Sequence, residues 1–243
     1  MFSGKIEDYI LFEDKEIIVC RKPAGIAVQN ARIGAMDLES SLKNYLAMQD
    51  GGGRRIPYLA VIHRLDQPVE GILVFGKTPE AAKSLSAQIT AGKMEKIYLA
   101  VTYGKQAEAG KKEKVLEDYL KKDGKSNTSS VVNAHTPGAK KARLSYEVLG
   151  EAVDAISGKK KWLLRIHLDT GRHHQIRVQM AHAGMPLAGD RKYGAGTNVP
   201  IGAGSLALCA ASLTFFHPVT GKVMKFVTKP EGTEFKGISI PQM

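Results

Sequence analysis

The stretch Leu59-Ala60-Val61-Ile62-His63-Arg64-Leu65-Asp66 passes from an apolar run directly into a charged tetrapeptide. A second apolar run, Ile72-Leu73-Val74-Phe75, follows shortly after Asp66. Continuous apolar runs of this length are typical of strands that are buried on both faces. The stretch therefore predicts a polar loop, which begins with His63-Arg64-Leu65-Asp66, between two buried strands of a sheet.

Strands also predominate on either side of this loop. Apolar spacing predicts three helices, near residues 38–46, 79–91 and 176–183. Residues 104–141 are predicted to be long solvated loops around one short strand, and residues 142–168 a hairpin. The other predicted strands cover residues 16–20, 26–28, 96–103, 115–120, 206–208, 213–216 and 223–227.

The order of these elements predicts the fold class. A regular alternation of strand and helix is missing, so a doubly wound parallel architecture is not expected. We predict an α+β fold, with a mixed, mainly antiparallel β-sheet and flanking helices. Neither an internal repeat nor a linker-like stretch interrupts residues 1–243, which predicts a single domain.

The charge balance indicates a class of partner. Thirty-five Lys and Arg against 24 Asp and Glu give a formal net charge of +11. A positive field of this kind attracts polyanions, and nucleic acid is the expected partner. The alternative is a solvated lysine-rich surface that binds nothing acidic. No feature indicates an obligate protein partner, so a monomer is expected.

Membrane and disulfide classes are disfavoured by the composition. No apolar run approaches the roughly twenty residues that span a bilayer, and the charged residues 1–7 do not resemble a signal peptide. A cytoplasmic protein is therefore expected. Cys20 and Cys209 lie in apolar stretches without metal-ligand spacing, which predicts two buried thiols.

The tetrapeptide His63-Arg64-Leu65-Asp66 contains a candidate catalytic carboxylate. Arg64 and Asp66 are two residues apart, so on an extended backbone their side chains point the same way. A neighbouring guanidinium keeps a carboxylate ionised, and such a carboxylate can act as nucleophile or base when it is held in a cleft. The alternative is a structural ion pair at a strand end, and the four residues alone leave it open.

A second group of polar residues occurs in Thr170-Gly171-Arg172-His173-His174-Gln175-Ile176-Arg177, followed by Gly189-Asp190 and Tyr193-Gly194. Its donors lie beside a predicted helix start, where unpaired N–H groups and the helix dipole favour phosphates and other anions. A capped helix with solvated basic residues is the alternative explanation.

Histidines at positions 173, 174 and 182, with Asp190, also raise the question of a metal. His174 and His182 are eight residues apart, whereas ligands on one helix converge on an ion at a spacing of three or four. We therefore expect no metal. A metal-dependent nuclease stays open as a third hypothesis.

Together these segments resemble the RluA family of RNA pseudouridine synthases over nearly the whole chain. Lys22-Pro23-Ala24-Gly25 is similar to the family's first motif, His63-Arg64-Leu65-Asp66 to its catalytic motif, and Lys96-x-Tyr98 to its tyrosine motif. The segment that starts at Thr170, with Gly189-Asp190 and Tyr193-Gly194, resembles its third large signature.

The resemblance implies isomerisation of uridine to pseudouridine in rRNA or tRNA, at a central catalytic cleft and without a metal or organic cofactor. It implies that Asp66 is the catalytic aspartate, that Tyr98 stacks on the target uracil and that Arg177 pairs with the Asp66 carboxylate. Arg64 would hold the flipped-out nucleotide or fill its place. We expect Tyr98 on the less apolar face of its strand. Whether Asp66 attacks the sugar, attacks the base or removes a sugar proton is left open.

Two features depart from the family pattern. Pro68-Val69-Glu70-Gly71 replaces the usual Thr-Ser pair before the glycine, which puts the hydrogen bonding of the catalytic loop in doubt. Many members also carry a small RNA-binding domain of the S4 type, for which there is no room before Glu16, so a stand-alone catalytic domain is expected. An RNA-binding module that has lost its activity is the main alternative hypothesis.

The surplus of basic residues is expected to bind the RNA backbone with salt-sensitive affinity. The alternative is that these residues lie in solvated turns. The candidates are Lys159, Lys160, Lys161, Arg54, Arg55, Arg172 and His174.

Overall fold

The computed structural model describes residues 3–30, 36–49, 56–103, 113–154, 157–194 and 205–242. Within these ranges the helices are α1 (Leu38–Gln49), α2 (Pro79–Thr90) and α3 (Gln175–His182). The strands are β1 (Ile10–Glu13), β2 (Ile17–Lys22), β3 (Ala60–Val61), β4 (Glu70–Gly76), β5 (Glu95–Thr102), β6 (Lys114–Asp123), β7 (Thr128–Val132), β8 (Lys140–Val153), β9 (Lys160–Leu168), β10 (Leu208–Phe216) and β11 (Val223–Val227). Two 3-10 helices cover Ile6–Tyr9 and Thr233–Phe235.

The predicted fold class is confirmed. The pairs β1–β2, β2–β4, β3–β4 and β10–β11 are antiparallel, as are β5–β9, β8–β9, β6–β8 and β6–β7. Three α-helices accompany these strands in the described ranges. The protein is thus an α+β fold with a largely antiparallel sheet.

The chain divides into two compact units. Unit 1 comprises Met1–Glu95 and Ala210–Thr228, and unit 2 comprises Lys96–Cys209 and Lys229–Met243. Neither unit is one continuous segment, so no single linker in the sequence could have marked a boundary between them. The single-domain organisation stays a prediction.

Unit 1 is built on the two apolar runs that flank Asp66. Its strand order is β1-β2-β4-β10, with β3 paired to β4 and β11 to β10. β4 is buried along its whole length, as its continuous apolar run predicts. α2 packs on this sheet through Leu85, which shares a core cluster with Val19, Val74 and Phe215. The sheet therefore holds both ends of the loop that contains Asp66.

Residues 26–28, predicted as a strand, form no strand. The carbonyl groups of Ala27 and Val28 accept hydrogen bonds from the backbone N–H groups of Leu38 and Glu39, at 3.0 and 3.1 Å. These are donors of the first turn of α1, which have no partner inside the helix. The segment is an irregular cap for α1 because its carbonyl groups satisfy a helix end.

Unit 2 has the strand order β5-β9-β8-β6-β7. The predicted hairpin of residues 142–168 is confirmed as β8 and β9, which pair from Leu144 with Leu168 to Val153 with Lys160. α3 packs on one face of this sheet, where Val178 meets Leu120 and Ala142.

The predicted strand at residues 115–120 is confirmed as part of β6, but the prediction of solvated loops around it is wrong for residues 121–123 and 128–132. These residues complete β6 and form β7, and Asp123 pairs with Thr128 across the turn. Asn127 closes the turn with a positive φ of 50°, a conformation that asparagine tolerates better than most residues. The lysines of β6 and the serines of β7 weaken the alternation of apolar and polar residues from which a strand is predicted.

Cys20 and Cys209 are buried free thiols, as predicted. Burial raises the pKa of the Cys20 thiol well above its ordinary range. Over the described ranges, the helices lack the length and apolar character that a membrane crossing requires. The cytoplasmic location stays a prediction.

Gly71 provides a test of how closely β4 approaches β10. Its φ is +130°, and a Cβ added there would lie 2.4 Å from the Ala210 carbonyl oxygen and 2.5 Å from the Ala210 nitrogen. We expect Gly71→Ala to lower the free energy of unfolding by roughly 3 kcal/mol or more, because backbone strain and overpacking act together.

Gly138→Ala is the matched control for that substitution. Gly138 also has a positive φ, +81°, but no atom lies within 4 Å of its added Cβ. Strain alone is expected there, at about 1–2 kcal/mol. Urea denaturation that gives equal losses for both variants would show that the close approach to Ala210 is unimportant.

Candidate active site

Asp66 lies in the loop between β3 and β4, where the sequence places it. The loop is held down by Leu65 and Val69, which are 8% and 2% exposed, while Asp66 between them is half-buried. A turn returns the chain to β4, since Val69 N donates to the Asp66 carbonyl oxygen at 3.0 Å. Arg64 is exposed. The carboxylate therefore sits at the rim of a well-packed loop.

The Lys22-Pro23-Ala24-Gly25 segment is tied directly to this loop. Gly25 N donates to the Gln67 carbonyl oxygen at 2.8 Å, and Gln67 Nε2 donates to the Gly25 carbonyl oxygen at 3.0 Å. Lys22 Nζ donates to the same Gln67 carbonyl at 3.1 Å. Two motifs more than forty residues apart in sequence thus form one hydrogen-bonded structure around the residue that follows Asp66.

The Lys22 ammonium is fully buried beneath the loop. Besides Gln67, it donates to the carbonyl oxygens of Pro23 at 2.9 Å and Ile26 at 2.7 Å. Burial lowers the pKa of Lys22 to about 8, and the negative charges of Asp66 and Glu70 oppose that decrease. In unit 1, Lys22 is therefore a buried cation that interacts electrostatically with Asp66.

The departure at residues 68–71 has a structural role in this charge arrangement. Val69 packs into the core, and Glu70 is only 7% exposed at the start of β4. Lys22 pairs in register with Gly71, the next residue along β4. Where the family pattern has a serine hydroxyl, this chain therefore has the buried carboxylate of Glu70, close to the buried Lys22. The hydrogen bonds of the loop are made by Lys22 and Gln67 instead.

In unit 2, Tyr98 lies on the face of the sheet on which α3 packs. Its cross-strand partner on β9 is Ile166, which in turn faces Tyr146 on β8. Residues an even number apart along a strand share a face, so Ala142, which contacts Val178 of α3, lies on that face too. The register therefore puts Tyr98 on the same side of the sheet as the helix that carries Arg177.

Burial does not test the expectation that Tyr98 lies on the less apolar face of its strand. Tyr98 is 6% exposed, and Ala100 on its face is as fully buried as Leu99 and Val101 on the other. Both faces of β5 are covered, so alternation within the strand does not distinguish them. The role of Tyr98 in stacking on the uracil stays a prediction.

Arg177 is held by Asp190 in a buried bidentate ion pair. Arg177 Nε donates to Asp190 Oδ2 and Nη2 to Oδ1, both at 2.8 Å. The guanidinium carbon also lies 5.1 Å from the centroid of the Tyr193 ring. Asp66 belongs to unit 1, and its pairing with Arg177 stays a prediction.

The predicted contact of His174 with the RNA backbone needs correction. His174 is 8% exposed, and its Nδ1 is hydrogen-bonded to the Tyr193 hydroxyl at 2.7 Å. Its ring stacks on that of His173 with the centroids 3.7 Å apart. The imidazole is thus part of the packing at the start of α3, where a phosphate has little access to it.

The side chains that raised the question of a metal have other partners. Among residues 157–194, Asp190 pairs with Arg177, and His182 lies 3.3 Å from Asp118 of β6. His174 is bonded to Tyr193. Over the described residues, no three His, Cys, Asp or Glu side chains lie close enough together to hold a metal ion.

The three consecutive lysines at the start of β9, Lys159 to Lys161, differ in exposure. Lys161 is 5% exposed, and its Nζ donates to the carbonyl oxygens of Glu234 and Lys236, both at 3.0 Å. Its proposed contact with RNA is corrected for that reason. Lys160 is exposed and pairs with Glu151 at 3.1 Å, and Lys159 is exposed.

The other backbone candidates lie in different surroundings. Arg172 is exposed, and its Nε donates to the Lys141 carbonyl oxygen at 2.8 Å. Arg54 and Arg55 lie outside the described residues. The RNA contacts proposed for Lys159, Lys160 and Arg172 stay predictions.

The sequence assigned no separate role to two lysines. Lys22 and Lys96 were recognised only as parts of the motifs Lys22-Pro23-Ala24-Gly25 and Lys96-x-Tyr98. Burial lowers the pKa of Lys96, an effect that the charge of Asp169 opposes, and its Nζ lies beside Gly171. A lysine that adjoins apolar strand residues is the signal that could have identified both.

Comparison with known proteins places these features in one family of sequences. A family model described as RNA pseudouridylate synthase matches residues 16–182. "Ribosomal large subunit pseudouridine synthase D" of Xanthomonas campestris is 30% identical over 234 residues, which covers 89% of this chain and 64% of that protein. The protein of the same name from Pseudomonas aeruginosa is 33% identical over 233 residues and covers 91% and 68%. The chain spans just under two thirds of the length of the Xanthomonas relative.

Two solved structures resemble the fold. Human RNA Pseudouridylate Synthase Domain Containing 4 has a TM-score of 0.72 at 21% identity, over 93% of this chain and 90% of that one. Human RNA Pseudouridylate Synthase Domain Containing 1 has a TM-score of 0.71 at 20% identity, over 95% and 86%. At these identities the likeness bears on the fold alone.

The lowered pKa of Lys22 predicts that the free energy of unfolding depends on pH in the alkaline range. Its pKa is about 8 in the folded chain, compared with an ordinary value of 10.5. Between these values the unfolded state binds more protons, so the contribution of Lys22 to the free energy of unfolding rises with pH across that window. We expect a gain on the order of 3 kcal/mol, measured by urea denaturation between about pH 7.5 and about pH 10.5.

The comparison with two variants isolates this effect. Lys22→Met is expected to lack the alkaline gain, whereas Lys83→Met, on the exposed side of α2, should keep it. If Lys22→Met gains stability with pH as the wild type does, the effect does not arise from Lys22.

Asp190→Asn is expected to lower the free energy of unfolding by roughly 3–5 kcal/mol, because Arg177 loses the carboxylate that compensates its burial. The control is Glu151→Gln, which breaks an ion pair whose side chains are 53% and 45% exposed and should cost under about 1 kcal/mol. Equal losses in urea denaturation would contradict the distinction between the two pairs.

Proposed function

The chain belongs to the RluA-type family of RNA pseudouridylate synthases, and from that membership we propose that it isomerises uridine to pseudouridine in RNA, with Asp66 as its catalytic carboxylate. The observation that carries the proposal is the hydrogen-bonded assembly of Lys22-Pro23-Ala24-Gly25 with the Asp66 loop. Motifs that the resemblance identified separately are joined at the residue next to the carboxylate.

The reaction suits a site with one carboxylate. The bond from C1′ to N1 breaks, the uracil turns, and a bond from C1′ to C5 forms, while C5 loses its hydrogen as a proton and N1 takes up a proton. No electron acceptor or group donor is consumed, so the proposal requires no cofactor. An ionised Asp66 can attack the sugar, attack the base or remove a sugar proton.

Substrate handling is proposed for residues of unit 2 and for Arg64. A uracil in folded RNA must leave its stack before its C1′ and C5 can react. Tyr98 would then stack on the base, an interaction typically worth roughly 1–3 kcal/mol, and Arg177 would pair with Asp66. Arg64, exposed two residues before Asp66, would hold the extracted nucleotide.

The relatives suggest which RNA to test first. Their names specify the large ribosomal subunit, so we propose uridines of large-subunit rRNA as the substrate, with tRNA as the second choice. The isolated RNA is the appropriate first substrate, because a backbone-binding protein needs no ribosomal protein for the contacts proposed here.

The test is release of tritium from rRNA labelled at uridine C5. Wild-type protein should release it, and Asp66→Asn should release it at least on the order of a thousandfold more slowly, because the amide cannot replace the ionised carboxylate. Glu80→Gln, an exposed carboxylate of α2, is the matched control and should behave as wild type.

Two outcomes would overturn the proposal. If the Asp66→Asn variant releases tritium at the wild-type rate, Asp66 is not the catalytic group. Wild-type protein that binds RNA in a salt-sensitive way, yet releases no tritium from rRNA or tRNA pools, would favour an RNA-binding module without activity.

A further inference from the structure

The tip of the β6–β7 hairpin in unit 2 carries a concentration of lysines. Lys121 and Lys122 lie near the end of β6, Lys125 lies in the turn, and Lys140 on β8 pairs in register with Leu120. All four lysines are exposed. We refer to these four residues as the lysine ridge.

The charges of the lysine ridge are not neutralised by neighbouring side chains. Within the described part of the chain, none of its four lysines forms an ion pair with a carboxylate. Asp123 also lies at the tip, but its carboxylate accepts hydrogen bonds from Lys125 N and Ser126 Oγ, at 2.9 and 2.7 Å. The ridge therefore has a net positive charge.

Basic residues elsewhere on the same sheet are arranged differently. Lys141 pairs with Glu117 at 2.8 Å, Arg165 with Glu147 at 2.7 Å, and Lys160 with Glu151 at 3.1 Å. Those pairs reduce the field of the sheet around them, whereas the four lysines of the ridge lack such pairs in the described part of the chain.

The turn beside the ridge is fastened to the start of α3. His173 is hydrogen-bonded through Nδ1 to Ser129 Oγ at 2.9 Å and through Nε2 to Asn127 Oδ1 at 3.1 Å. Lys192 Nζ donates to the Asn127 carbonyl oxygen at 2.7 Å, and Ser129 N donates to the Tyr193 hydroxyl at 2.8 Å. An exposed turn with this many side-chain bonds is held in one position.

This fastening connects the ridge to Arg177, the residue of unit 2 that is proposed to pair with Asp66. Tyr193 bonds to Ser129 in the hairpin, and its ring also lies 5.1 Å from the guanidinium of Arg177. Arg177 in turn is fixed by Asp190. Contacts within unit 2 therefore link the backbone of the β6–β7 hairpin to Arg177.

We propose that the lysine ridge binds the phosphate backbone of the RNA substrate beside the modified uridine. Ammonium groups without partners attract phosphate oxygens and release the counterions condensed on RNA, which adds affinity without sequence information. Because the ridge is already ordered, binding does not have to immobilise a mobile turn. This inference depends on the proposed function for its substrate, and its test separates the two.

The test compares two triple variants that remove the same charge. Lys121, Lys122 and Lys125 are changed to Gln in the ridge variant, and the exposed Lys83, Lys222 and Lys225 of unit 1 in the control. Binding of large-subunit rRNA fragments is measured against salt concentration. The ridge variant should show a log-log salt slope shallower by about 2–3 and, at low salt, an affinity weaker by roughly tenfold or more.

Turnover supplies an independent readout. In the tritium assay the ridge variant should raise KM and keep the wild-type kcat at saturating RNA, because the ridge contacts phosphates away from the reacting atoms. The ridge variant should unfold at the same temperature as the wild type, which would show that the exposed substitutions leave the fold intact. A fall in kcat with an unchanged KM would overturn the inference.

The binding arm separates the failure of this inference from the failure of the proposed function. If wild-type protein shows no turnover but the ridge variant still loses salt-dependent affinity, the ridge is an RNA-binding surface and only the proposed activity fails. If the ridge variant and the control bind alike, the inference is overturned even where turnover is intact. If the ridge variant binds RNA normally but loses binding to polyglutamate, the ridge binds an acidic protein, and the inference is overturned.

A further variant tests the fastening of the turn. His173→Ala removes two of its bonds and leaves all four lysines in place. Affinity should fall a few-fold, because the turn must then be ordered on binding, while the salt slope keeps its wild-type value. An unchanged affinity would contradict the preordered surface.

Discussion

The buried ammonium of Lys22 is the interaction on which the architecture around Asp66 depends. A charged amine that is removed from water needs acceptors and opposite charges in place of its hydration. Carbonyl groups of its own turn and of Gln67 supply the acceptors, and Asp66 and Glu70 supply the negative charge. Because Gln67 directly follows Asp66, satisfying the amine also determines the path of the loop that presents the carboxylate.

Unit 2 obeys the same constraint with a different cation. The Arg177 guanidinium is 5% exposed and is compensated by Asp190, whose side chain also accepts hydrogen bonds from Lys192 N and Tyr193 N. Burial of one charge therefore orders the chain around it, including the residue that contacts the β6–β7 hairpin. The lysines of the ridge are exposed and need no such compensation, so they are available to an external anion.

The elements predicted best are those with strong local signals. The N-cap and proline at the start of α2, and the alternation that pairs β8 with β9, depend on residues a few positions apart. β1 was missed, and β7 was predicted as loop because its threonine and two serines resemble a solvated turn. Residues 26–28 have strand composition, but their carbonyl groups serve the start of α1.

The sequence by itself determined the fold class, the position of Asp66 between two strands and the motifs that identify the family, because these depend on residue type and short spacing. Of the two flanking strands predicted to be buried, β4 is buried, whereas the two residues of β3 are partly exposed. Only the tertiary structure decided which charged side chains are buried. Lys161 is enclosed by carbonyl groups 73 and 75 residues away, and Lys22 by one 45 residues away. Whether a lysine faces water or a buried acceptor depends on such distant partners, and composition treats every lysine alike.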